Sequence, residues 1–464
     1  MTKLKVVLVR PNYHTHLITP PLGLGYLASY LKERGYSPKI IDGLNLGYST
    51  KEIVDSCLGA DLVGINCLSA YFPEVIGLSH ALKQKGLTVV IGGAHASVLP
   101  ELTLRETHAD YLIAGEGEMS LWELIESLEK NKPAENIPGV MTKSAGSFVK
   151  RTASGDLDIL PYPDWEQIDP RAYKKAPHGG LVKSFPVAPV TSTRGCTFEC
   201  SFCASPSLWD RKIRFRSPKN VVDEIELLVK KFKVREIHFE DDNLTLKRSH
   251  IEDICRLILE RGIKIHWATP NGIRVDTLDL ELLKLMKRSG CYFIAFGIES
   301  GNQAIVDRIK KRLNLKTVEA TVRLAKKAGI LTQGFFIFGL PGETEQTIQE
   351  TINFAKKTPF DKAQFLILDI LPGSELWDTL KKGDSLRWDY RSYHEAIWVP
   401  EGLTKERLNR APARAFRSFF LRPKQILFLL RYFKLSQVPF IFRRVADFNI
   451  LPIFKQWRRA LRYG

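Results

Sequence analysis

The sequence of 464 residues holds only seven cysteines, an odd number, with no series of paired thiols along the chain. That excludes the disulfide framework of a small secreted domain and leaves reduced thiols, as expected in the cytoplasm. No run of eighteen apolar residues occurs, which excludes an ordinary transmembrane helix. The opening "MTKLKVVLVRPNY" is too short and too soon interrupted to be the h-region of a signal peptide. Hydrophobic residues make up 44% of the chain and charged ones 26%, so it is not a disordered protein. At this length two or three domains are expected.

Acid is scarce in one place. Residues 401–464 carry 15 Lys and Arg against three acids, a net of +12, whereas residues 1–150 balance at −1. Most of the formal charge of +17 therefore belongs to the tail. There, aromatics, aliphatics and arginines interleave in "RAFRSFFLRPKQILFLLRYFKLSQVPFIFRRV" (414–445). Two readings stay open: helices packed on the preceding domain, and peripheral association of 401–464 with a membrane surface such as the inner membrane. Large aliphatics dilute the basic residues, and no RNA-binding module is recognisable, so nucleic acid is not expected as a partner.

Strand and helix patterns alternate through most of the chain. "KLKVVLVRP" suits a strand buried on both faces, and "LGLGYLASYLKERGY" has helical periodicity that stops at Gly35. "SPKIIDG", "ADLVGINCLS", "LTVVIGG" and "ADYLIAGEGE" repeat the strand-then-turn pattern. This predicts an α/β fold whose first domain (1–135) is a doubly wound, Rossmann-like parallel sheet. Ligands of such a sheet sit at the carboxyl ends of its strands. Residues 136–186, rich in Pro and Gly, read as a linker. Six further strand-like runs follow, from "PVAPVTSTRG" to "KAQFLILDIL", and predict a partial (β/α)6 TIM-type barrel over 187–400 with chemistry on the loops after its strands. Residues 401–464 form a helical, amphipathic C-terminal region.

A fourth cysteine is missing where it matters most. "RGCTFECSFCAS" (194–205) places Cys196, Cys200 and Cys203 at C-x3-C-x2-C spacing, and such thiolates suit zinc or an iron–sulfur cluster. No partnering C-x2-C or H-x3-H exists, as a closed zinc site would need. Three thiolates on a [4Fe-4S] cluster leave one iron open. A non-catalytic zinc protein remains the alternative from another class.

The cysteine triplet after the first strand of a β/α barrel resembles the radical S-adenosylmethionine (SAM) enzymes, and Phe202 just before the third cysteine is typical of them. "HFEDDNL" (238–244), "NGIRVD" (271–276), "FGIESG" (296–301) and "GFFIFGLPGET" (334–344) match the family's later strand-end motifs in order. The resemblance implies that SAM completes the cluster and is cleaved to a 5′-deoxyadenosyl radical, with an electron from an external flavodoxin- or ferredoxin-type donor. It assigns SAM binding to Phe202, Glu240, Asp241, Asp242, Asn271, Arg274, Glu299, Gly339 and Pro341. Asp242 and Asn243 suit the cap of the next helix equally well.

Joined to such a barrel, the first domain resembles the cobalamin-binding domain of the cobalamin-dependent radical SAM class. "PPLGLGYLASYL" (20–31), "GGAHAS" (92–97) and "DYLIAGEGE" (110–118) carry that likeness. It implies a cobalamin site at Asn12, Ser69, Gly92, Gly93, Ala94, His95, Gly115, Glu116 and Gly117. The D-x-H-x2-G motif that ligates cobalt in some cobalamin proteins is absent; His14 and His16 follow the first strand without that spacing. The activity implied is methylation of an unactivated carbon of a hydrophobic or lipid-like small molecule, using methylcobalamin. A radical SAM rearrangement or cyclisation is the alternative.

Overall fold

A computed structural model describes residues 3–15, 17–143, 149–175, 181–380 and 395–432. His16, the linker stretch "APHGG" (176–180) and the tail from 433 onwards lie outside the described residues.

The first sheet contains β1 (Val6–Arg10), β2 (Lys39–Asp42), β3 (Leu62–Asn66), β4 (Thr88–Gly92), β5 (Tyr111–Ile113) and β6 (Val140–Thr142). Their order is β2-β1-β3-β4-β5-β6, and all pairs are parallel except β5 with β6. Strand β1 is buried along its whole length, because helices cover both faces of a doubly wound sheet. The order reverses between β1 and β3, which opens a ligand crevice at their carboxyl ends. The sheet runs on to β6, past residue 135 where the sequence suggests a boundary.

The second sheet holds β7 (Val187–Val190), β10 (Glu236–Phe239), β11 (His266–Ile273), β12 (Cys291–Glu299), β13 (Leu331–Phe338) and β14 (Lys362–Ile367). They neighbour one another in chain order, all parallel, as a partial barrel. A two-stranded hairpin, β8 (Thr193–Gly195) with β9 (Ile213–Phe215), stands beside it. On β13 and β14 buried residues alternate with half-buried ones. Phe336, Phe338 and Phe365 pack towards the helices, leaving Phe335, Ile337 and Leu366 on the opposite, lumen face. At the amino-terminal end Glu236, fully buried, accepts hydrogen bonds from Tyr292 Oη (2.5 Å) and from the backbone N–H of Lys183 and Ser184.

The 136–186 stretch and the start of the tail both make defined contacts. The presumed linker is not loose. Trp165 and Ile168 are buried in the barrel's hydrophobic core, and Gln167 accepts a hydrogen bond from the backbone N–H of Ile40 (2.8 Å) in the first domain. The start of the tail packs as well: helix Lys405–Phe420 buries Leu408, Ala411, Ala415 and Phe419 against the barrel. Three apolar residues beyond it, Leu421, Ile426 and Leu427, are 68%, 44% and 68% exposed. Among the described residues no helix is long and apolar enough to cross a membrane.

Candidate active site

The cysteine loop does not leave a barrel strand directly, as its sequence suggests. It is the long connection of the β8–β9 hairpin, closed at Gly195. There φ is +103° and a Cβ would lie 2.1 Å from the carbonyl oxygen of Lys212, so only glycine fits. Further along, the backbone of Ser201 is held from both sides: its N–H donates to Ile309 O (3.0 Å) and its carbonyl accepts from Leu376 N (2.9 Å). The Arg274 guanidinium stacks 3.8 Å from the Phe198 ring centroid. Phe202 packs with Leu340 and Trp377. The loop is thereby pinned to the carboxyl ends of several barrel strands.

All three thiols are half-buried. Burial raises each pKa, that of Cys203 to about 11, and the charge of Lys311 draws all three back down. Cys200 also acts on both Cys196 and Cys203, so the three share one electrostatic neighbourhood. A set of desolvated thiols on one loop beside a cation fits a group that carries net positive charge and takes thiolates. Among the described residues no group of three or more His, Cys, Asp and Glu is drawn together as a single-ion site.

The acids proposed for SAM divide into two kinds. Glu240 is paired with Asn271 and has its pKa raised by burial. Glu299, at φ +71°, meets Lys311 Nζ at 2.7 Å. Both lie at strand ends, Glu299 within electrostatic reach of Cys200, and both keep acceptor capacity for a ligand. Asp241 is differently engaged. Its Oδ1 accepts from Ser192 N (3.0 Å), Ser192 Oγ (2.8 Å) and Thr193 Oγ1 (2.6 Å). It therefore fixes the turn into β8, and burial lifts its pKa to about 6. Asp242 lies beside Ser205 Oγ at 3.4 Å. Arg274 spends its guanidinium on Asp276 (2.6 and 2.9 Å) and on the carbonyls of Lys311 and Arg312, so it positions the Lys311 turn. Gly339, at φ +92°, and Leu340 donate their N–H to Glu343 Oε2, which shapes the turn through Pro341. Glu343 is fully buried, and burial pushes its pKa up to about 8.

In the first domain the crevice is made mostly of backbone. Gly93 has φ +116°, and a Cβ there would sit 2.6 Å from Cys67 O. Gly92 O accepts from Cys67 N, and Cys67 O accepts from His95 N, so the Gly92–Gly93–Ala94 turn is laced to the end of β3. Ser69 Oγ lies 2.8 Å from His95 Nδ1, and the His95 ring packs on Phe72 with centroids 4.1 Å apart. His95 is thus a hydrogen-bonding residue at the end of the strand. Asn12 donates to Tyr48 O (3.0 Å) and lines a cavity of about 330 Å³ with Tyr48, Ser49 and Glu74. Gly115 donates to Ser97 Oγ (2.8 Å), and Gly117 follows in the same loop. Glu116 is turned to other partners: it pairs with Arg194 (2.6 Å) and Arg214 (2.8 Å) of the cysteine hairpin.

Residues 190–355 match the radical SAM superfamily model and residues 13–125 the B12 binding domain model. An uncharacterized methyltransferase of Pyrococcus horikoshii, PH0819, is 32% identical over 92% of this chain and 95% of its own length. The chain belongs to the cobalamin-dependent radical SAM enzymes. The cytidylyl-2-hydroxyethylphosphonate methyltransferase of Streptomyces wedmorensis is 31% identical over 80% of each chain. The solved structure of TsrM, a radical SAM methyltransferase from Kitasatospora setae with cobalamin and a [4Fe-4S] cluster bound, superposes with a TM-score of 0.70 at 19% identity. That match covers 89% of this chain and 85% of TsrM, and it shares the fold. The family's cofactors are a [4Fe-4S] cluster, SAM and cobalamin.

Within a radical SAM enzyme of this kind, Lys311 is a residue the sequence reading missed. It sits inside the basic run "RIKKR" (308–312), which looks like a solvated helix face. The turn at Lys310 and Arg312, both at positive φ, buries Lys311 instead, with its ammonium 5.7 Å from the Phe202 ring centroid. Arg194 and Arg214 were missed for a similar reason: their partners, Glu116 and Glu118, are distant in sequence.

Proposed function

We propose that the protein methylates an unactivated carbon of a small, hydrophobic substrate. The observation that carries this is the junction of the two sites. The three-thiol loop lies on the rim of the barrel, and its hairpin is ion-paired to the strand-end loop of the B12-type domain. When bound, the cluster and SAM supply reductive cleavage and hydrogen-atom removal, and cobalamin supplies the methyl group.

The chain's own residues do the rest. Cys196, Cys200 and Cys203 hold the cluster. Glu240, with Asn271, and Glu299 are placed to accept from the ammonium and ribose of SAM, and Lys311 to meet its carboxylate. Phe202 and the turn Gly339–Pro341 border the same rim. Asn12, Ser69, Gly92, Gly93, Ala94, Gly115 and Gly117 shape the cobalamin crevice, where glycine lets backbone approach a flat ligand closely. Phe335, Ile337 and Leu366 give the lumen a half-buried apolar wall; that wall supports a hydrophobic substrate and keeps water from the reacting carbon. The cytidylyl-2-hydroxyethylphosphonate methyltransferase acts on a polar molecule, so the hydrophobic substrate class is supported by this wall and not by likeness.

Anaerobic reconstitution with iron, sulfide and cobalamin, followed by reaction with SAM and a low-potential electron donor, tests the reading. Formation of both 5′-deoxyadenosine and S-adenosylhomocysteine is expected, the second only with cobalamin present. Deoxyadenosine alone would favour rearrangement or cyclisation. A colourless zinc protein would refute the enzyme reading. Peripheral membrane association is supported by the exposed Leu421, Ile426 and Leu427 beside basic Arg422 and Lys424. Flotation with anionic vesicles, compared with a 401–464 truncation, is its test; no binding by the intact protein refutes it.

A further inference from the structure

In the hairpin that carries the cysteine loop, Arg194 and Arg214 stand directly opposite one another across an antiparallel pair. Like charges at such a position repel. What relieves them comes from the other domain. Arg194 Nη1 meets Glu116 Oε1 at 2.6 Å and its Nη2 meets Glu118 Oε1 at 2.8 Å, while Arg214 meets both oxygens of Glu116 at 2.8 and 2.9 Å. The four side chains are only 9–16% exposed. The Tyr26 ring, also from the first domain, lies 5.0 Å from the Arg194 guanidinium. Two buried guanidinium groups side by side are costly without those carboxylates.

The far end of the cysteine loop is docked in the same way. Helix Ser205–Trp209 begins two residues after Cys203, and Ser207 Oγ donates to Gly373 O (2.5 Å). A Cβ on Gly373 would lie 2.7 Å from Val98, the last residue of helix Ala94–Val98, which opens after Gly93. The loop after β5 therefore grips both strands of the hairpin, through Arg194 and Arg214, and the helix after β4 packs beside helix Ser205–Trp209. Both belong to the cobalamin crevice.

We infer that Glu116 and Glu118 are positioning residues that lock the cluster hairpin to the cobalamin crevice and so fix the separation of cluster and cobalt. This assigns Glu116 to the hairpin and not to cobalamin itself, and it rests on the cofactors of the proposed function. The pulsed-EPR dipolar coupling between cob(II)alamin and the reduced cluster reads that separation in the reconstituted protein. A narrow coupling distribution is expected for the wild type and a broadened one for Glu116→Gln and for the Glu116→Gln/Glu118→Gln double variant. Cobalamin Kd and iron content should change by less than about twofold. Exposed Glu101→Gln should match the wild type. An unchanged distribution in the double variant overturns the inference. So does a cobalamin Kd raised about tenfold or more with the coupling intact, which marks Glu116 as a ligand.

Amide hydrogen exchange of the cofactor-free protein gives a second, independent reading. Exchange over 193–215 should accelerate at least about tenfold in Glu116→Gln, and that in β12 and β13 should not. Arg194→Lys, which keeps the charge but loses the two-pronged contact, should fall between. Equal exchange in all variants overturns the lock even if the wild type takes up neither cofactor, an outcome that would separately refute the proposed function.

Discussion

The barrel rim and the crevice of the first domain present ligands with different material. On the rim the available groups are side chains: three half-buried thiols, half-buried Glu240 and Lys311, and buried Glu299, held by a frame of hydrogen bonds. In the crevice they are backbone, exposed by Gly92, Gly93, Gly115 and Gly117, while the polar side chains there are largely engaged with one another, as Ser69 is with His95 and Glu116 with Arg194. A site made of charged side chains can steer electrons and hold a small zwitterion. A site made of backbone accommodates a large flat molecule by shape. Substitutions should therefore act by chemistry on the rim and by volume in the crevice.

The largest expected effect is on the rim. Cys200→Ala should abolish SAM cleavage and reduce the iron held after reconstitution, because two thiols do not retain the cluster; residual cleavage near the wild-type level would break the comparison. Next comes Lys311→Met, which leaves Glu299 buried without its partner. A loss of about 3 kcal/mol in urea unfolding is expected, together with a raised KM for SAM, and an unchanged KM would remove Lys311 from the SAM site. In the crevice Gly93→Ala should cost about 1–3 kcal/mol because φ is +116° and the methyl group meets Cys67 O. Cobalamin affinity should fall with it, as absorbance titration would show. Ser69→Ala, which removes a hydroxyl but adds no volume, should cost only about 1 kcal/mol. A larger loss in cobalamin affinity from Ser69→Ala than from Gly93→Ala would contradict a crevice recognised by shape.

A pH-dependent effect concerns Glu343 beneath the Gly339 turn. Its folded pKa of about 8 lies above the usual carboxylate value of about 4.3. Between those two values the folded state holds the extra proton, so stability rises as pH falls through that window and declines as pH rises. The Glu343→Gln variant should lack this dependence. The wild type should lose up to about 1.4 kcal/mol per pH unit relative to it, measured from about pH 6 to about pH 8.

Sequence patterns reveal the two regions unequally. The thiol spacing, the six barrel strands and the glycine turn at 92–93 are local signals, and the structure places them together at the strand ends. Hidden features depend on contacts between distant residues. Strands β8 and β9 have three residues each, and β9 shows no alternation of buried and exposed residues, so the hairpin has no period to read. Glu116 looks like a ligand because an acid at a strand end is usually functional, but its partner Arg194 is 78 residues away. Asp241 looks like a SAM contact, and its three donors at Ser192 and Thr193 are visible only once β7 and β10 lie side by side. The sequence pattern shows which residues are chemically able. Folding then ties some of them into the frame and leaves others with hydrogen-bonding capacity to spare.

In the proposed function the three thiols hold a cluster whose fourth iron is left for SAM. Mössbauer spectroscopy of the 57Fe-reconstituted protein, with and without SAM, tests it most directly. The expected result is a [4Fe-4S] spectrum in which SAM shifts one iron of four. A cluster whose four irons respond alike, or a protein that takes up zinc and no cluster, would contradict it.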